Sequence, residues 1–272
     1  MDMDLTATPV DNGNIVHRIV RNMLDCEDPF RAVKQASNRG CLDVLPLHRR
    51  TVTQSDNPLL ESLRLAAAAN AIDIGPSFEH DYDVSGTLEK ILEGAFDFGD
   101  YPLFREHLDT TNHVLYLADN AGEIVFDRLV VEQLTSLGKR VTFVVRSGPI
   151  LNDATMEDAN IAGIQELAEV IPNGQRGPGT SLRLASPTFA DRLRSADLIL
   201  AKGQGNYEGL AGEQMRIFFL FRVKCRLVAR HTHAPMGTIV LRSATAPIDQ
   251  GQAQHQPSAT KQDAAPQRKG IS

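Results

Sequence analysis

Residues 113–146, HVLYLADNAGEIVFDRLVVEQLTSLGKRVTFVVR, decide the fold. HVLYLAD (113–119) and RVTFVVR (140–146) are nearly continuous in apolar residues, as strands covered on both faces must be. Between them Val125, Phe126, Leu129, Val130, Leu134 and Leu137 form the apolar stripe of a helix, and Gly138 is placed to end it. Strand, helix, strand in this order implies parallel pairing through a right-handed crossover.

Working outward, AEVIP (168–172), ADLILAK (196–202), CRLVAR (225–230) and TIVLR (238–242) read as further strands. Residues 14–110 show helical patterns and no convincing strand. Ile15, Ile19, Val20 and Met23 recur at helical spacing, and Leu59, Leu60, Leu63 and Ala67 share one face of Pro58–Ala71. Thr87–Gly94 and Tyr101–Leu108 are further helical patterns. The expected architecture is α/β. A mostly parallel, doubly wound, Rossmann-like sheet spans 111–242, with an N-terminal all-helical subdomain over 14–110. Residues 243–272, rich in Gln, Ala, Pro and Ser, have too little apolar surface to offset ordering entropy and are expected to be a disordered tail.

The 272 residues are 42% apolar, enough for a sizeable core. A net charge of −6 without a basic stripe argues against nucleic acid as partner. Cys26, Cys41 and Cys225 are widely spaced, which fits a reducing compartment and offers no zinc site. No apolar run reaches the roughly 20 residues needed to span a bilayer, and the first residues are acidic and polar, so a cytoplasmic location is expected and no membrane partner.

Open parallel sheets bind ligands beyond the carboxyl ends of their strands. Four such places carry chemistry-bearing residues. Asp119 and Asn120, with Gly122 and Glu123 behind them, offer hard oxygen ligands of the kind Mg²⁺ or Mn²⁺ takes, next to a helix N-terminus suited to phosphate. The alternative is a plain helix cap. Asn152 and Asp153 follow the next strand, whose end lies about 5 Å from the first. They are a second oxygen source or, again, a cap for a helix starting near Ala154. Lys202, two glycines and Asn206 in KGQGNYE form either a phosphate cradle or a glycine turn. Gly174–Thr180 is a substrate-covering loop or a connector. His231 and His233 have no third metal ligand nearby in sequence.

At these residues a resemblance emerges. LADNAGEIVFD, RSGPILNDATMEDA, ADLILAKGQGNYE and FFLFRVKC resemble the motifs of the DUF89 family, also called the damage-control phosphatase, ARMT1-like family. DPFRAVKQASN (28–38), PLLESLRLAAAANAIDIG (58–75) and APMGTIVLR (234–242) match its small prokaryotic branch as well. The resemblance covers roughly residues 15–242. It implies a phosphatase dependent on Mn, Mg, Co or Ni and acting on small phosphometabolites, such as sugar phosphates or damaged phosphorylated metabolites. It implies metal ligands at Asp119, Asn120 and Asp153, and a phosphate-side Lys202 and Asn206. Asn70 and Asp73 resemble a helical-region motif facing the site. Asp119, Asp153 and Lys202 are the expected catalytic residues, with Asn70, Asp73, Glu123, Asn152, Lys202 and Asn206 around the substrate. The nucleophile is water or a carboxylate.

The sequence departs from the family in places. Members of the branch usually begin with a further helical segment bearing a C-x-x-C-like pair, so the helical region is expected to be truncated. Ile74-Gly75-Pro76-Ser77 replaces a commoner FGAN, and Arg226 stands where proline is usual. Two other readings are a methyltransferase using S-adenosylmethionine, disfavoured by Asp119-Asn120 where a glycine-rich loop belongs, and a non-catalytic metal-binding remnant.

Overall fold

The computed structural model describes residues 8–24, 26–70 and 83–244. Helices α1 (Pro9–Met23), α2 (Arg31–Gln54), α3 (Pro58–Ala69) and α4 (Val84–Leu92) come first. The short strand β1 (Phe96–Asp97) and helix α5 (Tyr101–Asp109) follow. The alternating part runs β2 (His113–Leu117), α6 (Glu123–Ser136), β3 (Arg140–Val145), α7 (Met156–Ile161), β4 (Glu169–Pro172), α8 (Pro187–Arg194), β5 (Leu198–Lys202) and α9 (Gln204–Leu210). It closes with β6 (Ile217–Arg222), α10 (Arg226–Thr232) and β7 (Ile239–Ser243).

The seven strands order as β1-β7-β6-β5-β2-β3-β4, parallel except for the β6–β7 pair. From β2 the chain winds outward to β3 and β4, then crosses back to β5 on the other side of β2. The order therefore reverses between β2 and β5, and a crevice opens at their carboxyl ends. On one face α6 covers the sheet and α2 and α3 stack on α6, around Leu63, Phe104, Phe126, Phe143 and Phe218. On the other face α8, α9 and α10 pack on Leu115, Ile199, Phe219 and Phe221.

Most of the expected elements are present, with four corrections. CRLVAR is not a strand. Cys225 is the extended residue before α10, whose Leu227 is exposed while Val228 is buried. The strand there is the preceding IFFLFR, an unbroken apolar run with Ile217 to Phe221 buried and therefore suited to a sheet interior. The helical region does contain a strand, the two-residue β1, which joins the sheet edge beside β7. Helix α2 runs for 24 residues with a broken apolar stripe, because Lys34, Ser37, Asn38 and His48 are buried along with Cys41, Leu45 and Val52. Ser243 belongs to β7, so ordered structure runs into the stretch expected to be tail; the rest of that stretch, from 245 on, lies outside the described residues.

Candidate active site

The crevice is built by two turns zipped together. After β2, the Asp119 carbonyl accepts from Ala154 N at 2.8 Å, and Ala121 N donates to the Asn152 carbonyl at 2.8 Å. Asn120 and Asp153 are thereby bridge partners on adjacent antiparallel segments. Neither turn is a mere cap. Helix α6 begins after Gly122, whose φ of 77° suits glycine and whose N–H donates to Asn38 Oδ1 of α2 at 2.6 Å. Helix α7 is capped by Thr155 in a capping box with Asp158.

The side chains form one hydrogen-bonded system. Asn70, at the end of α3, donates its Nδ2 to Asp119 Oδ2 at 2.8 Å and to Glu123 Oε2 at 2.7 Å. Asn120 Nδ2 donates to Asp119 Oδ2 at 2.9 Å and to Glu123 Oε2 at 3.1 Å. Arg146 Nε donates to Asp153 Oδ2 at 2.6 Å, and its Nη2 lies 3.9 Å from Asp119 Oδ1. In each of the three expected ligands one polar atom is tied down. Asp119 Oδ1, Asn120 Oδ1 and Asp153 Oδ1 accept no hydrogen bond from any described residue.

Lys202 sits beneath this layer. Its ammonium is fully buried and donates to the Ala66 carbonyl at 3.0 Å, to Asp127 Oδ1 at 2.7 Å and to Glu123 Oε1. All three of its donors are spent, so it stands under Glu123 and does not reach the crevice as a hand on phosphate. Burial alone would lower its pKa; the Asp127 and Glu123 charges more than offset this and hold it above the usual lysine range. Asn206 is buried too. Its Nδ2 donates to the carbonyls of Lys202 at 2.7 Å and Ala118 at 3.2 Å, and so ties the ends of β2 and β5 together. Asn152 lines the crevice, and Asp73 lies outside the described residues.

The crevice encloses about 430 Å³, lined by Asn70, Asn120, Ala121, Asn152, Arg222, Lys224, Met236 and Gly237. Arg222 and Lys224, which the sequence reading passed over, form its cationic side. Arg222 Nε donates to the Gly237 carbonyl at 3.2 Å, and neither cation pairs with a carboxylate among the described residues. The sequence did hold a clue in FFLFRVKC: two cations just past an all-apolar strand must emerge at its carboxyl end. The 174–180 loop does not line the crevice. Asn14 and Arg21 of α1 donate to the carbonyls of Pro178 and Arg176, and Thr180 Oγ1 accepts from Arg146 Nη1 at 3.2 Å.

The donor set fits a divalent cation. Four carboxylates (Asp119, Glu123, Asp127, Asp153) stand close together here; Lys202 pairs with Glu123 and Asp127, and Arg146 with Asp153 and, at longer range, Asp119. Burial, reinforced by the Glu123 and Asp153 charges and only partly offset by Arg146 and Lys224, pushes the Asp119 carboxyl up to about 7. Among the described residues no three His, Cys, Asp or Glu side chains form a metal-ready group; the fitting set here is two carboxylates and an amide, hard oxygen donors all.

Gly203 supports this geometry. Its φ of 80° and ψ of 152° suit glycine alone, and a Cβ there would lie 2.2 Å from Asp119 Cγ. Gly203→Ala is expected to lose about 1–3 kcal/mol of stability and to displace Asp119. Thermal melting with and without Mn²⁺ checks both effects. A variant that keeps the full stability and metal response would show that the close approach has no consequence.

Fold and site together define a doubly wound α/β protein whose polar crevice lies at the topological switch point. The family profile described as the damage-control phosphatase ARMT1-like domain matches residues 3–240, and the chain belongs to that family. It is 34% identical over 236 residues to a damage-control phosphatase of Pyrococcus horikoshii, covering 86% of this chain and 81% of the relative. A damage-control phosphatase of Archaeoglobus fulgidus is 33% identical over 231 residues, covering 84% and 80%. An uncharacterized protein of Methanocaldococcus jannaschii is 35% identical over 246 residues, covering 87% and 80%. The crystal structure of a DUF89 family protein from Pyrococcus horikoshii superposes with a TM-score of 0.76 at 33% identity, covering 86% of this chain and 81% of that one. No helix among the described residues is long and apolar enough to cross a membrane.

Proposed function

We propose that this chain is a metal-dependent phosphatase that hydrolyses small phosphometabolites. The observation that carries the proposal is the set of three oxygens, on Asp119, Asn120 and Asp153, that accept no hydrogen bond from a described residue, each on a side chain whose other polar atom is already held. Two of its relatives bear the name damage-control phosphatase, which supports the same reaction class.

Asp119, Asn120 and Asp153 would hold the divalent ion, Mn, Mg, Co or Ni. When bound, the ion supplies Lewis-acid polarisation of a phosphate oxygen and offsets charge in the transition state. Lys224 and Arg222 hold the remaining phosphate oxygens, the arginine through guanidinium N–H groups not used on Gly237. Asn70 fixes the Asp119 and Glu123 carboxylates in place, and Lys202 holds Glu123 from below. The crevice of about 430 Å³ admits a phosphorylated molecule of sugar size. Asn152 and Met236 line the part that meets its organic portion.

The test is turnover of p-nitrophenyl phosphate by the chelator-treated protein as each metal is restored. Hydrolysis that persists in chelator, or none with any metal, would overturn the proposal. Within it, Lys224→Met is expected to raise KM for a phosphomonoester about tenfold, equivalent to about 1.4 kcal/mol, with a smaller change in kcat. Steady-state kinetics check this, and an unchanged KM would remove Lys224 from the phosphate site.

A further inference from the structure

Among the described residues, Arg146 is the cation that pairs with both Asp153 and, at 3.9 Å, Asp119. It is 3% exposed, and its guanidinium is fixed on two sides. Its Nε donates to Asp153 Oδ2 at 2.6 Å, and its Nη1 donates to Thr180 Oγ1 at 3.2 Å. Its backbone is held as well, because Arg146 N donates to the Ala154 carbonyl at 2.9 Å. Thr180 belongs to the loop that α1 pins through Asn14, so the guanidinium cannot swing aside without loosening that loop.

One oxygen of Asp153 is therefore committed to Arg146, and only Oδ1 remains for a cation. Asp119 is restricted in the same way, because its Oδ2 accepts from Asn70 and Asn120. Two carboxylates limited to one oxygen each suit an ion that takes six ligands at short, near-octahedral distances. They do not suit Ca²⁺, which takes six to eight oxygens and readily uses both oxygens of a carboxylate. A partner that orients a ligand from behind commonly tunes the metal site in this manner.

We infer that Arg146 sets the metal selectivity of this site, by holding Asp153 to a single-oxygen ligand and so excluding Ca²⁺ in favour of smaller divalent ions. Arg146 acts through Asp153 and is a positioning residue. The inference rests on the metal site proposed above. Its test reads binding and not turnover, so that a site that binds metal without phosphatase activity would sink the proposed function and leave this inference standing.

The experiment is calorimetric titration of the chelator-treated full chain with Mn²⁺ and, separately, with Ca²⁺. The wild-type protein is expected to bind Mn²⁺ the tighter. Arg146→Met is expected to narrow that preference by about fivefold or more, chiefly by admitting Ca²⁺. Thr180→Val, which removes only the second anchor of the guanidinium, is expected to narrow it less, in the same direction. Equal binding of the two ions by the wild type overturns the inference. An unchanged Mn²⁺-to-Ca²⁺ ratio in Arg146→Met does so too, as does an unchanged ratio in Thr180→Val should Arg146→Met fail to fold.

Discussion

Asp119→Ala is expected to lower kcat/KM for any phosphomonoester by about a thousandfold or more, the scale of losing an electrostatic centre in a water-poor site. The side chain would offer the expected ion its Oδ1, which accepts no hydrogen bond from a described residue, while its Oδ2 anchors Asn70 and Asn120. The variant should also lose the rise in melting temperature that Mn²⁺ gives the wild type by mass action. Without metal it should melt within a few degrees of the wild type. The reason is that Asp119 crowds Glu123 and Asp153 in a largely desolvated place, so removing it relieves repulsion even as two hydrogen bonds are lost. A folded Asp119→Ala protein that still turns over substrate would place the catalytic centre elsewhere.

Lys202→Met is expected to be the most destabilising substitution of this region. It leaves Glu123 and Asp127 buried without their cation, and breaking such a pair from one side costs about 3–5 kcal/mol. Tyr116 still donates to Asp127 Oδ1 at 2.7 Å, but Glu123 would keep only donors from Asn70 and Asn120. Glu123 would then be protonated or move, and Asn70 and Asn120 would lose the acceptor that orients them. Adding Asp127→Asn removes one stranded charge and should recover part of the loss. Thermal melting of the single and double variants measures both effects. A Lys202→Met protein as stable as the wild type would mean that the lysine carries no such burden.

The fold was largely legible because its central strands are unbroken apolar runs bounded by polar turns. HVLYL and RVTFVV could hardly be anything else, and Gly138 does end α6, with φ of 75°. Legibility failed where the same kind of pattern was short or its surroundings were polar. The apolar triplet Leu227-Val228-Ala229 suits a strand or a helix turn equally, and packing made it a helix. Helix α2 hid because Asn38 and Lys34 are buried for their hydrogen bonds, to Gly122 N, Asp158 and Asp28, which no periodicity rule scores. In the candidate site, residue identities at strand ends were readable, since the topology dictates where those ends meet. The direction in which a side chain faces was not. Lys202 ends a strand as a phosphate lysine should, yet the pleat turns it inward onto Asp127, while Arg222 and Lys224 at the end of the neighbouring strand β6 line the crevice. Arg146 was likewise invisible as a partner of Asp153, because that pairing depends on the loop holding Thr180.

The edge strand β1 has a consequence for how the chain assembles. Its Asp97 is clamped by Arg242, which lies 145 residues later. Proteins are made from the N-terminus, so the N-terminal helices leave the ribosome long before the strand that pairs with β1. Until Ile239–Ser243 arrives, Phe96 and Asp97 have no neighbour in the sheet, and closing so long a span costs entropy before any contact repays it. The stretch that links the N-terminal helices to the sheet is thus latched by the last described strand, and that sheet edge can close only after the whole alternating part has been made.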